Sequence, residues 1–466
     1  MAIAHTSIET LRKSLRGTVI IAGDPGYDEA RRVWNAIIDK RPALIARCRG
    51  AVDVMLAVTF ARNEGLCIAV RGGAHNVAGK ATCDDGIVID LSEMKGLRVD
   101  PVARTARAEP GLRWGEFDRE TQGFGLATTG GTVGDTGIAG LTLGGGFGWL
   151  GGRLGMTVDN LLSVDIVLAS GELVHASAAE NTDLFWAIRG GGSNFGVVTS
   201  FEYQLHPVGP MIVGGLVMHP FARAAEVLAF YGRFIRSAPD DLTAAAVLMT
   251  GPDGQKACVI AAAYAGSIDE GEKAVKPIKD FGPPVFDIIG PIPYLGQQAL
   301  LDQAMPPNLL NYWKADFINN VNEQIIDVAI EAHSRIPSPL SSMLFFPIHG
   351  AASRVALDAT AYPHRGGIHM GIYSLWDDVA VSESNIAWVR ETWDAIQPSA
   401  TGGVYVNELS DDEGDDRVRQ AYVGNYSRLA KIKARYDPDN LFNINANIKP
   451  ERTEHPALRA ASGSSV

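Results

Sequence analysis

Apolar residues in the first two hundred positions fall in short runs punctuated by glycine and polar turns. Residues 66–70 and the run Ile87-Val88-Ile89-Asp90-Leu91 read as short buried strands. Residues 51–63 place Val52, Met55, Leu56, Thr59 and Phe60 on one helical stripe, ended by Gly65. Residues 164–169 and 173–175 flank Ser170-Gly171, a hairpin signal. A brief helix over 182–189 precedes an alternating strand that puts Val197, Thr199, Phe201, Tyr203 and Leu205 on one face. The stretch His206-Pro207-Val208-Gly209-Pro210 marks a boundary. Beyond residue 211 glycine thins, helices lengthen (223–237 and 383–396), and aromatic residues collect around Tyr312-Trp313. A last amphipathic segment, 417–436, aligns Val418, Tyr422, Tyr426, Leu429 and Tyr436 before Asp437-Pro438 stops it.

The pattern divides the chain into 1–206, 207–400, a closing segment 401–450, and a small, polar tail 451–466 expected to be disordered. A length of 466 residues exceeds one ordinary core, in keeping with that division. A hydrophobic share of 46% with 20% charged residues describes a globular enzyme-like chain. The formal net charge of −12 argues against nucleic acid as a partner. No run of about 18 apolar residues is present, which argues against a membrane span. The N-terminus lacks a charged-then-apolar signal pattern, and four cysteines without metal-type spacing suit reduced thiols; a cytoplasmic address is expected.

Glycine carries the candidate chemistry. The 51 glycines concentrate in three clusters: Val70-Arg71-Gly72-Gly73-Ala74-His75-Asn76-Val77-Ala78-Gly79; Thr128-Thr129-Gly130-Gly131 through Thr136-Gly137-Ile138-Ala139-Gly140 to Gly144-Gly145-Gly146-Phe147-Gly148; and Arg189-Gly190-Gly191-Gly192-Ser193-Asn194-Phe195-Gly196-Val197-Val198. Such loops let backbone N–H groups approach an anion, and three of them suit a long, phosphate-bearing cofactor. Gly146-Phe147-Gly148-Trp149-Leu150-Gly151 matches the dinucleotide fingerprint in letters. Its neighbours are Gly/Thr-rich and Gly151-Gly152 would weaken a following helix, so a nicotinamide dehydrogenase is disfavoured. The scattered histidines, His364 and His369 among them, make no metal ligand set.

Arg71-Gly72-Gly73-Ala74-His75, with Leu141-Thr142-Leu143-Gly144-Gly145-Gly146-Phe147-Gly148 and Asn194-Phe195-Gly196-Val197-Val198-Thr199, resembles the flavoproteins of the vanillyl-alcohol-oxidase type, in their berberine-bridge-enzyme-like branch. Tyr405-Val406-Asn407 and Tyr436-Asp437-Pro438-Asp439-Asn440-Leu441-Phe442 with Asn445-Ala446-Asn447-Ile448 resemble that branch's closing segment, and 41–48 is similar to its bacterial members. The resemblance implies an α+β fold: a two-subdomain FAD-binding domain plus a substrate domain built on an antiparallel sheet with helices. It further implies that FAD is held by Arg71, Gly72, Gly73, Ala74, His75, Asn76 and Gly79, by Thr129, Gly130, Gly131, Thr136, Gly137, Gly140, Gly144 and Gly146, by Gly196, Val197 and Val198, and by Tyr405, Asn407, Asn445 and Asn447.

By the same resemblance His75 is expected to attach covalently to the flavin 8α-methyl group, a bond a neutral imidazole can make. Many relatives add a cysteinyl link where this chain has Val133, so one link is expected. Several relatives end Tyr-x-Asn-Tyr with a basic tyrosine; here the fourth position is Glu408, either a base tuned by desolvation or a solvated neighbour of Asp411, Asp412 and Glu413. His369, Gly371 and Tyr373 share a strand face, and Tyr312 is a further pocket candidate. The relatives' oxygen-access position falls near Thr136. The expected activity is hydride removal from an alcohol or amine carbon of a small organic molecule, with dioxygen as acceptor. A flavin-bearing protein that sequesters a drug, and a flavin dehydrogenase with another acceptor, are the alternatives.

Overall fold

Thr18–Ile21, Leu44–Arg47, Ile87–Asp90 and Ile68–Arg71 lie in that order in a four-stranded sheet, the first pair antiparallel and the rest parallel. These strands come from a computed structural model, which describes residues 3–451; the tail expected to be disordered lies outside them from residue 452 onward. The parallel pairs read as unbroken apolar runs because both faces are covered. The helix Ala51–Glu64 covers one of those faces and ends at Gly65, whose φ of +66° is the left-handed turn that glycine takes without strain.

The stripe expected on that helix is not the buried one. Val54, Ala57, Val58 and Ala61 are fully enclosed, whereas Val52 is 66% exposed. The helix packs between two sheets, sharing one core with Ile87 and Ile89 on one side and with Val167 and Val197 on the other. Burial from both sides blurs any single stripe.

The second sheet is antiparallel, in the order Leu97–Asp100, Thr105–Ala108, Val197–Gln204, Leu161–Val167, Leu173–Ser177. Phe201 and Tyr203 alternate into its core as the strand period requires. The hairpin turns at Gly171, φ +86°.

The third sheet is the largest: Phe286–Asp287, Met211–Pro220, Lys256–Tyr264, Leu242–Thr250, Ser342–Ile348, Gly367–Trp376 and Leu310–Ile318, all antiparallel, with Gly290–Pro293 beside Met211–Pro220. One face packs against the helices Ala224–Phe234, Glu323–Ser334 and Ser382–Ile396 through Ala246, Ile260, Phe345 and Ile372. The other face looks toward the first two sheets.

The chain then returns. Val404, Leu409, Tyr422, Leu429 and Ile448 share a core with Phe201 and Tyr203. The segment expected as one helix over 417–436 is two, Asp415–Tyr422 and Tyr426–Tyr436. They part at Val423 (φ +45°), beside Gly424. Among the described residues no helix is long and apolar enough to cross a membrane.

Candidate active site

A cavity of about 980 Å³ lies where the three sheets meet the returning segment. One wall is made of the glycine clusters. The strand Ile68–Arg71 delivers Gly72 to Asn76 onto it, and the second cluster contributes Gly131, Thr136, Gly137 and Gly140. These two loops touch backbone to backbone. A Cβ on Gly73 would come 2.5 Å from the Gly137 Cα, and one on Gly137 would come 2.5 Å from the Gly73 nitrogen, so neither position admits a side chain. The third cluster adds Asn194 and Val198, and the closing segment adds Tyr405, Asn407, Asn445 and Asn447.

Asparagines stitch these pieces together. Asn194 donates to the carbonyls of Gly191 (2.8 Å) and Ala446 (3.0 Å) and accepts from the Ile448 N–H (3.0 Å). Asn407 donates to the Leu141 carbonyl (3.3 Å) and to the Tyr405 hydroxyl (2.9 Å). Asn35 ties the histidine loop to the third sheet, donating to the carbonyls of Val77 (2.7 Å) and Asn311 (2.9 Å). Beneath them a fully buried Lys433 donates to Asp437 (2.6 Å) and to the carbonyls of Asn194 (2.6 Å) and Phe442 (2.8 Å).

His75 sits on this wall with its ring stacked on Trp34. Burial holds its imidazolium form down, to about 4, so the ring is neutral near pH 7. Its Nε2 is buried and finds no partner among the described residues; the same is true of Asn447 Oδ1. Buried polar atoms are almost always satisfied, so these orphans, with Tyr422 Oη and Thr250 Oγ1 elsewhere on the lining, mark places for a ligand's atoms.

Across the cavity, strand Gly367–Trp376 presents Tyr373 and the turn after Tyr405 presents Glu408. The Tyr373 hydroxyl stands 3.2 Å from each Glu408 oxygen, and His369 Nε2 stands 3.2 Å from both Tyr373 Oη and Glu408 Oε2. Burial first, and the Glu408 carboxylate second, push the Tyr373 phenol well above its ordinary value, so it keeps its proton. Glu408 is not the solvated neighbour of Asp411 and Asp412: its side chain is 12% exposed, whereas Asp411 turns outward to Lys80 (2.5 Å).

Several expected residues stand elsewhere. Tyr312 is off the cavity, donating to Asp412 (2.8 Å) and accepting from Arg390 (3.1 Å) on the helix-covered face. Its neighbour Trp313, paired with Tyr373 in the sheet register, takes the wall position. His369 is behind the wall, its ring centroid 5.0 Å from that of Phe147. Arg71 turns away to the Ala30 carbonyl, and Gly79 stands against Ile38. Thr129 donates to the Gly155 carbonyl (2.7 Å) and Gly130 underlies the Trp114 ring. Gly144 makes room for the Asn407 amide, Gly146 donates to Tyr405 Oη (3.2 Å), and Gly196 and Val197 face the core beneath. These glycines shape the loops rather than line the cavity. Trp34, Lys80, Trp313 and Ile444 line or back it without having been anticipated; only the aromatic collection at 312–317 pointed to any of them.

The cavity's shape and donors fit a long polar cofactor: three backbone-rich loops in series, few cationic side chains, and unpartnered polar atoms. The comparisons agree. Residues 42–177 match the FAD binding domain family and residues 404–449 match the family described as berberine and berberine like. The chain is 34% identical over 444 residues to an FAD-linked oxidoreductase of Dictyostelium discoideum, covering 94% of this chain and 96% of that one. It is 30% identical over 454 residues to (R)-6-hydroxynicotine oxidase of Paenarthrobacter nicotinovorans, covering 94% and 98%. The crystal structure of 6-hydroxy-D-nicotine oxidase from Arthrobacter nicotinovorans superposes with a TM-score of 0.87 at 29% identity, over 94% of this chain and 99% of that one. The chain therefore belongs to the FAD-linked oxidoreductases of the vanillyl-alcohol-oxidase type, berberine-bridge-enzyme-like branch, and is an FAD-dependent enzyme of that oxidase family.

Proposed function

We propose that this enzyme removes a hydride from an alcohol or amine carbon of a small organic molecule and passes the electrons to dioxygen, with FAD held by one covalent link through His75. In this reading residues 1–206 form the FAD domain, 207–400 the substrate domain, and 401–450 the segment that returns to hold the cofactor. The carrying observation is that an unpartnered, neutral His75 and the Tyr373–Glu408 pair share one cavity, with His369 behind the pair.

When bound, the flavin supplies the hydride-accepting ring and the 8α-methyl group to which a histidine can be joined. Gly73, Gly137, Asn194, Asn445 and Asn447 would hold its length, with backbone N–H groups meeting the phosphates in the absence of any wall arginine among the described residues. His75 keeps a ring lone pair for the link because burial has removed its proton. Val133 on the wall cannot form a thioether as a second link, and no cysteine lines the cavity among the described residues.

The proton leaving the substrate hydroxyl or amine goes to Glu408, whose carboxylate is reached directly or through the Tyr373 hydroxyl. His369, enclosed behind both, holds them in place. The Phe147, Phe317 and Tyr405 rings surround His369 and fix it behind the pair.

Anaerobic mixing of the purified protein with candidate alcohols and amines tests the reading. An enzyme bleaches its visible absorbance with a substrate and regains it, with hydrogen peroxide, on admitting air. A protein that binds the same compounds and stays yellow is a sequestering protein. One that bleaches but recovers only with another acceptor is a dehydrogenase.

A further inference from the structure

The wall contributed by the third sheet has a feature of its own. Leu216 and Met218, Val247 and Met249, Val259 and Ala261, and Leu344 all face the cavity, alternate residues on four adjacent strands. The register sets them in a row. Met218 lies opposite Val259, Val259 opposite Val247, Val247 opposite Leu344, and Leu344 opposite Gly371. Five strands at the usual spacing give the row a span of about 19 Å. It ends beside the proton-handling cluster, because Gly371 leaves the space over its strand to the Tyr373 ring two residues on. Leu300, Leu301 and Met305 extend the apolar surface.

Charge is missing from this wall. Between Val198 and Tyr405, no Asp, Glu, Lys, Arg or His among the described residues lines the cavity. Its charged side chains are all on the cofactor side or the closing segment: His75, Lys80, Glu408, Glu413 and Asp415. A carboxylate or phosphate lying along the row would lose its water with no counter-ion to replace it. A polyhydroxylated body would lose hydrogen bonds that few side chains here could replace: among the described residues, Thr250, Gln303, Ser341, Ser342, Trp313 and Tyr373 are the polar ones lining this stretch.

We infer that the substrate is an extended, uncharged, lipophilic molecule that lies along the row Met218–Val259–Val247–Leu344 and presents its one polar group, the reacting hydroxyl or amine, to Tyr373 and Glu408. This rests on the oxidase reading for what happens at that end, but the recognition of the body depends on the sheet alone.

The test uses the flavin-loaded protein and straight-chain primary alcohols from four to twelve carbons, their ω-carboxylates of equal length, and cellobiose. Binding is read by perturbation of the visible band and, independently of the flavin, by tryptophan fluorescence and calorimetry. Each added methylene should tighten binding about fourfold until the row is spanned. The ω-carboxylates should bind at least about a hundredfold more weakly than the alcohols, and cellobiose should not register. Val247→Thr, which keeps the shape and buries a hydroxyl, should weaken the long alcohols several-fold while leaving the short ones and the visible spectrum unchanged. Affinity flat with chain length, or carboxylates or cellobiose binding as well as the alcohols, overturns the inference. A protein that follows the series yet is never bleached refutes the oxidase reading and spares this one; a bleached protein indifferent to chain length does the reverse.

Discussion

The imidazole of His75 lies on the indole of Trp34, ring centroids 4.2 Å apart and planes 23° from parallel. Trp34 in turn meets Trp313 edge-on at 5.4 Å, so the histidine's support runs from its own loop to the third sheet. The stack covers one imidazole face and leaves Nε2 unpartnered. Trp34→Leu should therefore keep the fold but slow attachment of FAD, which a time course of acid-precipitable flavin after adding FAD to the apoprotein will show.

Burial of His75 has a consequence for stability. Its depression from the ordinary 6.5 to about 4 corresponds to about 3 kcal/mol. The unfolded chain takes up the proton and the folded chain does not, so this stability is present above about pH 6.5, falls as pH drops, and is lost near pH 4. Urea unfolding of apoprotein should show a wild-type decline over that window that is shallower in His75→Asn.

Glu408→Gln and Tyr373→Phe should each lower kcat about 10²–10⁴-fold with visible absorbance intact, since both stand at the proton's exit and neither supports a glycine loop. Glu408→Asp should recover part of the loss. Rapid-mixing measurement of the bleaching step checks this; a Glu408→Gln enzyme that bleaches at the wild-type rate would leave the proton with another group.

Lys433 and Asp437 form a fully enclosed ion pair whose remaining bonds fix Asn194 and the 441–442 backbone. Asp437→Ala leaves the ammonium buried without its partner and should cost about 3–5 kcal/mol. Loss should show first at the cofactor, because Asn194 carries the 446–448 segment. Denaturant titrations followed by far-UV dichroism and by flavin release should separate in the variant.

Much of this was legible in the sequence, for physical reasons. Glycine clusters announce themselves because only glycine allows Gly73 and Gly137 to meet backbone to backbone. Strand alternation gave the shared face of Phe201 and Tyr203 and the shared side of His369 and Tyr373, but a bulge between Val198 and Ser200 turns Val197 to the other core, and Val198 takes its place. The failures have causes at longer range. Tyr312 and Trp313 are equally aromatic, and only the pairing of Trp313 with Tyr373 decides which one faces the cavity. The helix Ala51–Glu64 carries no single stripe because it is covered from two sides. The apolar row joins Met218 to Leu344, 126 positions apart (344 − 218), and no window of sequence contains it.

The central claim is that this cavity holds FAD through His75, and acid precipitation of flavin-replete protein followed by peptide mapping tests it most directly. The account predicts a yellow pellet with flavin on the peptide containing His75, and a colourless pellet with colour in the supernatant for His75→Ala. Wild-type protein that releases all of its flavin into the acid supernatant, or carries it on any other residue, contradicts it.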